Sequence, residues 1–189
     1  MQPSIPRRMQ HDRKVMVILG VSFDGKFCLS IVPHNETVTG EVYVEFLRRM
    51  NHNFSRRVDA LHWNDMILQH DNARPHSSQQ VRSFLQEKGV TLLHQPPYSP
   101  DYNICDRWWF SKMEAARRRV NFDDENHLKD FLTDILRDVS KDDLIHQFNK
   151  LKEDLQLVVN AHGQYLYLCM CNFEITSFCF LLLHFNTTY

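Results

Sequence analysis

His70-Asp71-Asn72-Ala73-Arg74-Pro75-His76 is the stretch that decides the fold. Just before it, Met66-Ile67-Leu68 is a short apolar run of buried-strand type, so Asp71 falls past the end of a strand. After it, Ser77 to Lys88 can form a helix with Val81, Phe84 and Leu85 on one face, and a second short run, Val90 to Leu93, follows. Strand, helix, strand in that order implies an α/β sheet. A carboxylate past a strand's carboxyl end lies where open α/β sheets place their ligands. Asp106 is a second carboxylate, with 34 residues between it and Asp71. The alternation of strand and helix can bring it back to the same sheet edge. No Gly-rich phosphate loop or Cys cluster lies near, so two converging carboxylates suggest hard divalent cations with oxygen ligands. A pair of Asp residues alone would carry little weight, since Asp is mostly a solvated surface residue.

The remaining chain frames this centre. Lys14 to Val32 reads as a hairpin, with Val15 to Val21 a buried-type strand, Asp24-Gly25 a turn and Phe27 to Val32 the return. Val38 to Met50 is an amphipathic helix, with Val42, Phe46 and Leu47 inward, Arg48 and Arg49 outward and Thr39 as cap. Pro96-Pro97-Tyr98-Ser99-Pro100 is a rigid turn that sets where the helix holding Asp106 begins. That helix runs from Cys105 to Arg119, with Trp109 and Met113 packing on one face. Asp123-Asp124-Glu125 opens another helix, acids first as the dipole favours, and a last helix spans Asp142 to Leu157.

At 189 residues the chain has the length of one domain. Its composition, 43% hydrophobic and 24% charged, is that of an ordinary soluble globular protein. A net charge of −1 gives no global attraction to nucleic acid, so DNA contact has to come from local basic patches such as Arg48, Arg49, Arg56 and Arg57, or Arg117 to Arg119. Five cysteines without zinc-type spacing fit a reducing compartment. Residues 1–13 are polar and basic, with no signal-peptide core. Residues 167–189 form a hydrophobic tail whose unbroken part is about half the ~20 residues a membrane helix needs.

Read together, H-D-N-A-R-P-H, then P-P-Y-S-P-D, then C-D-R-W-W-F resemble the catalytic domain of mariner-like transposases, in the wider mariner and Tc superfamily. The resemblance implies a ribonuclease-H-like mixed sheet with flanking helices. It also implies three acids that hold two Mg2+ or Mn2+ ions, Asp71 being the second acid and Asp106 the third. Asn72 and His76 are candidates to support Asp71: Asn72 orients the carboxylate or, more in character, caps the next helix, and His76 makes a structural hydrogen bond or meets substrate phosphate. Asp24 matches a turn residue of the family. By the same resemblance the partners are DNA at transposon ends and a second copy or a full-length transposase, the location is nuclear, otherwise cytoplasmic and not secreted, and no membrane is expected. The likeness covers residues 14–166, leaving a polar segment, 1–13, and a non-family tail, 167–189.

The family's first acid sits on the first strand of the sheet, upstream of the hairpin, and nothing in residues 1–13 matches it. The expectation is therefore a fragment with its first strand missing. In-line attack on a phosphodiester uses two ions about 3.5–4 Å apart, and two acids of three hold at most one ion weakly. Little or no strand cleavage is expected of this chain alone. The alternative class is a non-catalytic, transposon-derived protein that binds nucleic acid or transposase. Losing a central strand forfeits on the order of 10 kcal/mol of burial, comparable with a whole domain's stability of ~5–15 kcal/mol. One compensation is that Tyr165 to Cys171 fills the vacant position.

Overall fold

The computed structural model describes residues 14–33, 36–55, 62–117, 120, 122 and 124–161, together with the backbone of 178–181 and 187–188. Strand β1 (Lys14–Ser22) turns at Asp24 and Gly25 into β2 (Phe27–Val32), in register from Met16↔Val32 to Val21↔Phe27. Gly25 has φ +89°, a left-handed conformation that glycine adopts without a Cβ penalty. Asp24 takes a hydrogen bond from the Ser22 hydroxyl and pairs with Lys26 Nζ at 2.7 Å, so it is a turn residue.

Helix α1 (Gly40–Ser55) follows, and Thr39 caps it by accepting from Val42 N at 3.3 Å. Then come β3 (Ile67–His70), α2 (Gln79–Lys88) and β4 (Thr91–His94). A π-helical turn (Cys105–Trp109) leads into α3 (Phe110–Arg117), followed by α4 (Glu125–Arg137) and α5 (Lys141–Asn160). Asp124 and Ser140 cap α4 and α5 by accepting from His127 N and Asp143 N. Two short strands, β5 (Phe178–Leu181) and β6 (Thr187–Thr188), complete the set.

The strands line up as β2-β1-β5-β3-β4, with β6 paired to Lys14 and Val15. β5 is antiparallel to β1 and parallel to β3, and β3 is parallel to β4. β1 alternates as a two-sided strand must. Val15, Val17, Leu19 and Val21 pack with Trp109, Met113 and the buried faces of α4 and α5. Ile18 packs on the opposite side with α1 and α2. The result is the expected mixed sheet between two helical layers.

The centre of the sheet differs from the sequence reading. The position expected to be vacant is held by Phe178–Leu181, a piece of the hydrophobic tail. An apolar, partly β-branched tail can supply the backbone hydrogen bonds that two facing edges need. The segment Tyr165 to Cys171, named above for that role, lies outside the described residues, as do residues 1–13, Arg56, Arg57 and Gly163 to Leu166. Among the described residues, no helix is long and apolar enough to cross a membrane.

Candidate metal centre

Asp71 stands just beyond the carboxyl end of β3, its side chain 20% exposed. Its Oδ1 accepts from Ala73 N–H at 3.0 Å and lies 2.5 Å from His76 Nδ1. A carboxylate only accepts, so Nδ1 carries the proton of that bond. Burial alone would raise the Asp71 pKa, but the hydrogen bond and charge of His76, the Ala73 amide and the nearby His70 together hold it below the ordinary carboxylate value. Asp71 is therefore ionised at neutral pH, with one oxygen anchored from behind.

The anchor is itself buried. His76 is 1% exposed, stacks on His70 with centroids 5.1 Å apart, and lies 4.3 Å from the Tyr43 ring of α1. The Tyr43 hydroxyl and His70 Nδ1 share a hydrogen bond of 3.0 Å. Burial, then the charge of His76, pushes the His70 pKa down to about 3, so His70 is neutral at pH 7. Tyr43, His70 and His76 thus form a packed ring stack beneath Asp71. Among the described residues, His76 Nε2 is buried with no hydrogen-bond partner.

Asp106 arrives from the other side of the Pro-rich turn. Gln69 of β3 donates to the Tyr102 carbonyl at 3.0 Å. Asn103, 1% exposed, donates to Gln95 Oε1 at 3.2 Å and accepts from Cys105 N at 2.9 Å. Gln95 also donates to the Ser99 carbonyl at 3.0 Å. This network fixes the start of the π-helical turn against β3 and the loop after β4. Trp109 and Met113, both fully buried, lock its far side, and Arg107 pairs with Asp154 of α5. π-helical turns are rare and recur at functional sites; here the wide turn begins next to the carboxylate.

Asp106 is half-buried, with no hydrogen-bond or ion-pair partner among the described residues. Burial and then the negative charge of Asp71 push its pKa up to about 7. An effect of one carboxylate on the other is what two acids at one sheet edge produce. The pair fits a hard cation: Asp106 lacks a partner, and a positive charge between the two would relieve their repulsion. Among the described residues, no cluster of three or more His, Cys, Asp and Glu side chains could hold a metal.

Asn72 does neither job foreseen for it. Its Nδ2 donates to the Gln95 carbonyl at 2.9 Å, tying the loop after β3 to the loop after β4. The cap of α2 is Ser78, which accepts from Val81 N at 3.4 Å. Asn72 stands seven residues before the first residue of α2, too far to cap it, because a tight turn over 74–77 intervenes. Tyr43, His70, Gln95 and Asn103 were not foreseen as parts of the site. A buried-face Tyr on α1 and polar residues inside apolar runs were the only signals.

A family model described as DDE superfamily endonuclease matches residues 2–129. The chain belongs to that family. The DDE match starts upstream of Lys14, where the motif reading began. "Histone-lysine N-methyltransferase SETMAR" of Homo sapiens is 30% identical over 161 residues, which is 85% of this chain and 24% of that protein. "Mariner Mos1 transposase" of Drosophila mauritiana is 26% identical over 167 residues, 86% of this chain and 48% of that one. The crystal structure of the Mos1 mariner paired end complex with Mn superposes with a TM-score of 0.76 at 24% identity, covering 88% of this chain and 51% of that chain. This DDE chain thus has homology to the mariner transposase catalytic domain and shares its ribonuclease-H-like fold. It spans half or less of the length of the curated relatives it matches.

Proposed function

We propose that the chain is part of a mariner-like DNA transposase catalytic domain whose Asp71 and Asp106 hold a single divalent ion, Mg2+ or Mn2+, at the sheet edge. The observation that carries this is the Asp71–Asp106 pair itself: one carboxylate is anchored and ionised, and the other, raised in pKa by burial and by the charge of Asp71, has no partner among the described residues. Metal use is supported by the fold's likeness to a Mos1 complex described with Mn. The substrate class that follows is the DNA phosphodiester, and the location that follows from the family is nuclear.

The residues would act as follows. His76 and the Ala73 amide orient the Asp71 carboxylate and keep its charge, leaving Oδ2 free to coordinate. The Asn103 and Gln95 network sets the distance at which Asp106 joins it. A divalent ion bound there supplies electrostatic stabilisation of charge developing on phosphate oxygens. β5 reads Phe178-Cys179-Phe180-Leu181, so the central strand contributes no acid. One ion on two carboxylates falls short of a two-metal site, and the chain alone has little or no strand-cleavage activity.

That acid-free central strand also favours a second reading, a non-catalytic protein that associates with DNA or with a transposase. A supercoiled-plasmid assay in Mg2+ and Mn2+ separates the two. Metal-dependent nicking that Asp71→Ala abolishes supports a residual enzyme; metal-independent association without nicking supports the binding protein.

A further inference from the structure

Tyr98 combines full exposure with a strained backbone. Its relative exposure is 103%, above the other exposed large hydrophobic residues, Leu157 and Val159. Its φ is +55°, and among the described residues no other non-glycine has a positive φ. A bulky side chain is an outlier in that left-handed region, and such a conformation persists only where its surroundings enforce it. Here they do. Pro97 and Pro100 restrict the chain on either side. Gln95 Nε2 donates to the Ser99 carbonyl at 3.0 Å, and the Ser99 hydroxyl donates to the Pro97 carbonyl at 3.1 Å.

The same loop is tied to both candidate metal ligands. β4 is parallel to β3, with His94 in register with His70, so the loop leaves the sheet at the edge where Asp71 stands. Asn72, next to Asp71, donates to the Gln95 carbonyl at 2.9 Å. Asn103, in the turn leading to Asp106, donates to Gln95 Oε1 at 3.2 Å. Gln95 thus couples the two acid-bearing segments to the loop that holds the Tyr98 ring out in solvent. Arg74, exposed on the turn that follows Asp71, pairs with no acid among the described residues.

We propose that Tyr98 is a stacking post for an unpaired nucleobase of a DNA strand whose phosphodiester lies at the Asp71–Asp106 edge. The proposal rests on reading that pair as the metal-holding site of a DNA-processing domain. An aromatic ring stacks on any base, so the contact tolerates sequence while selecting a base that is free of its partner strand. Arg74 on the neighbouring loop supplies a cation for backbone phosphate. The loop is fixed before substrate arrives, so little ordering is left to do on binding.

The test uses the full chain and a hairpin DNA whose short single-stranded end carries 2-aminopurine, beside a blunt twin, in Mg2+ at low salt. The parent should quench the fluorophore and bind the single-stranded end in preference to the blunt one. Tyr98→Ala should lose the quenching and bind that end about tenfold more weakly. Tyr98→Phe and Tyr98→Trp should keep both, and the blunt twin should bind all four chains alike. Tyr98→Gly, which the left-handed backbone accommodates, should also lose the quenching yet melt at or above the parent's temperature. A ring that served only to hold the loop would not give that combination.

No quenching by the parent, quenching that survives Tyr98→Ala, or an equal loss in Tyr98→Phe overturns the proposal. So does a Tyr98→Gly chain that melts well below the parent. Self-association that Tyr98→Ala abolishes, without any quenching, overturns it in favour of a protein contact. Mn2+ binding that survives Asp71→Ala, with quenching still removed by Tyr98→Ala, overturns the reading of the metal pair and leaves the stacking post standing.

Discussion

His76 Nδ1 lies 2.5 Å from Asp71 Oδ1, and the imidazole that makes this contact is buried to its last atom while the carboxylate reaches solvent. The histidine is thus a floor under the acid, and its own support is the ring stack with His70 and Tyr43. The side of Asp71 that faces away from this floor is the side open to a cation.

Replacing His76 with Ala removes a charge-assisted bond and a packed ring, and should cost about 2–4 kcal/mol at pH 7. Asp71 has a depressed pKa in the folded chain, so the stability it contributes is present above the ordinary Asp pKa and lost as pH falls through the folded value. The penalty of His76→Ala should therefore shrink in acid. Denaturant unfolding from pH 7 to pH 3, with carboxyl NMR showing Asp71 titrating at higher pH in the variant, checks both points.

Asp106 has the opposite sign. Its folded pKa of about 7 lies above the unfolded value of 3.8, so the folded state holds more protons between them and stability is lost as pH rises through that window. Asp106→Asn should be more stable than the parent by about 1–2 kcal/mol at pH 8, allowing for partial exposure, and nearly equal to it at pH 4. Thermal melts at the two pH values test this.

Proton and metal compete for the same carboxylate. Below pH 7, Mn2+ affinity should fall by close to tenfold per pH unit while Asp106 alone is taking up a proton. An affinity flat from pH 7.5 to pH 5.5 would mean that Asp106 is not a ligand.

A packing prediction is independent of the chemistry. A Cβ on Gly40 would come 2.4 Å from Ser78 Oγ and 3.1 Å from Ser78 Cβ. Ser78 would have to turn away and give up its cap on α2, so Gly40→Ala should cost about 1–2 kcal/mol although alanine favours helix. Urea unfolding of the variant measures it.

Much of this was legible in the chain itself. The hairpin, α1, α2 and their inward residues followed from periodicity, and the place of Asp71 just past a strand followed from the apolar run before it. Three features were not. The Asn72 contact depends on the loop after β4 coming alongside, a tertiary event that local propensity does not encode. The Tyr43–His70 bond joins residues 27 apart, and only the fold makes them neighbours. The β5 insertion was foreseen in kind but on other residues: any apolar stretch of the tail satisfies a strand slot, and pattern alone does not choose among them.

The most direct test of the account is a Mn2+ titration of the intact chain at pH 7.5, followed by electron paramagnetic resonance, with Asp71→Ala and Asp106→Ala in parallel. The account predicts one weak site, lost or weakened at least tenfold in each variant. No site at all, or a site that both variants retain, would contradict it.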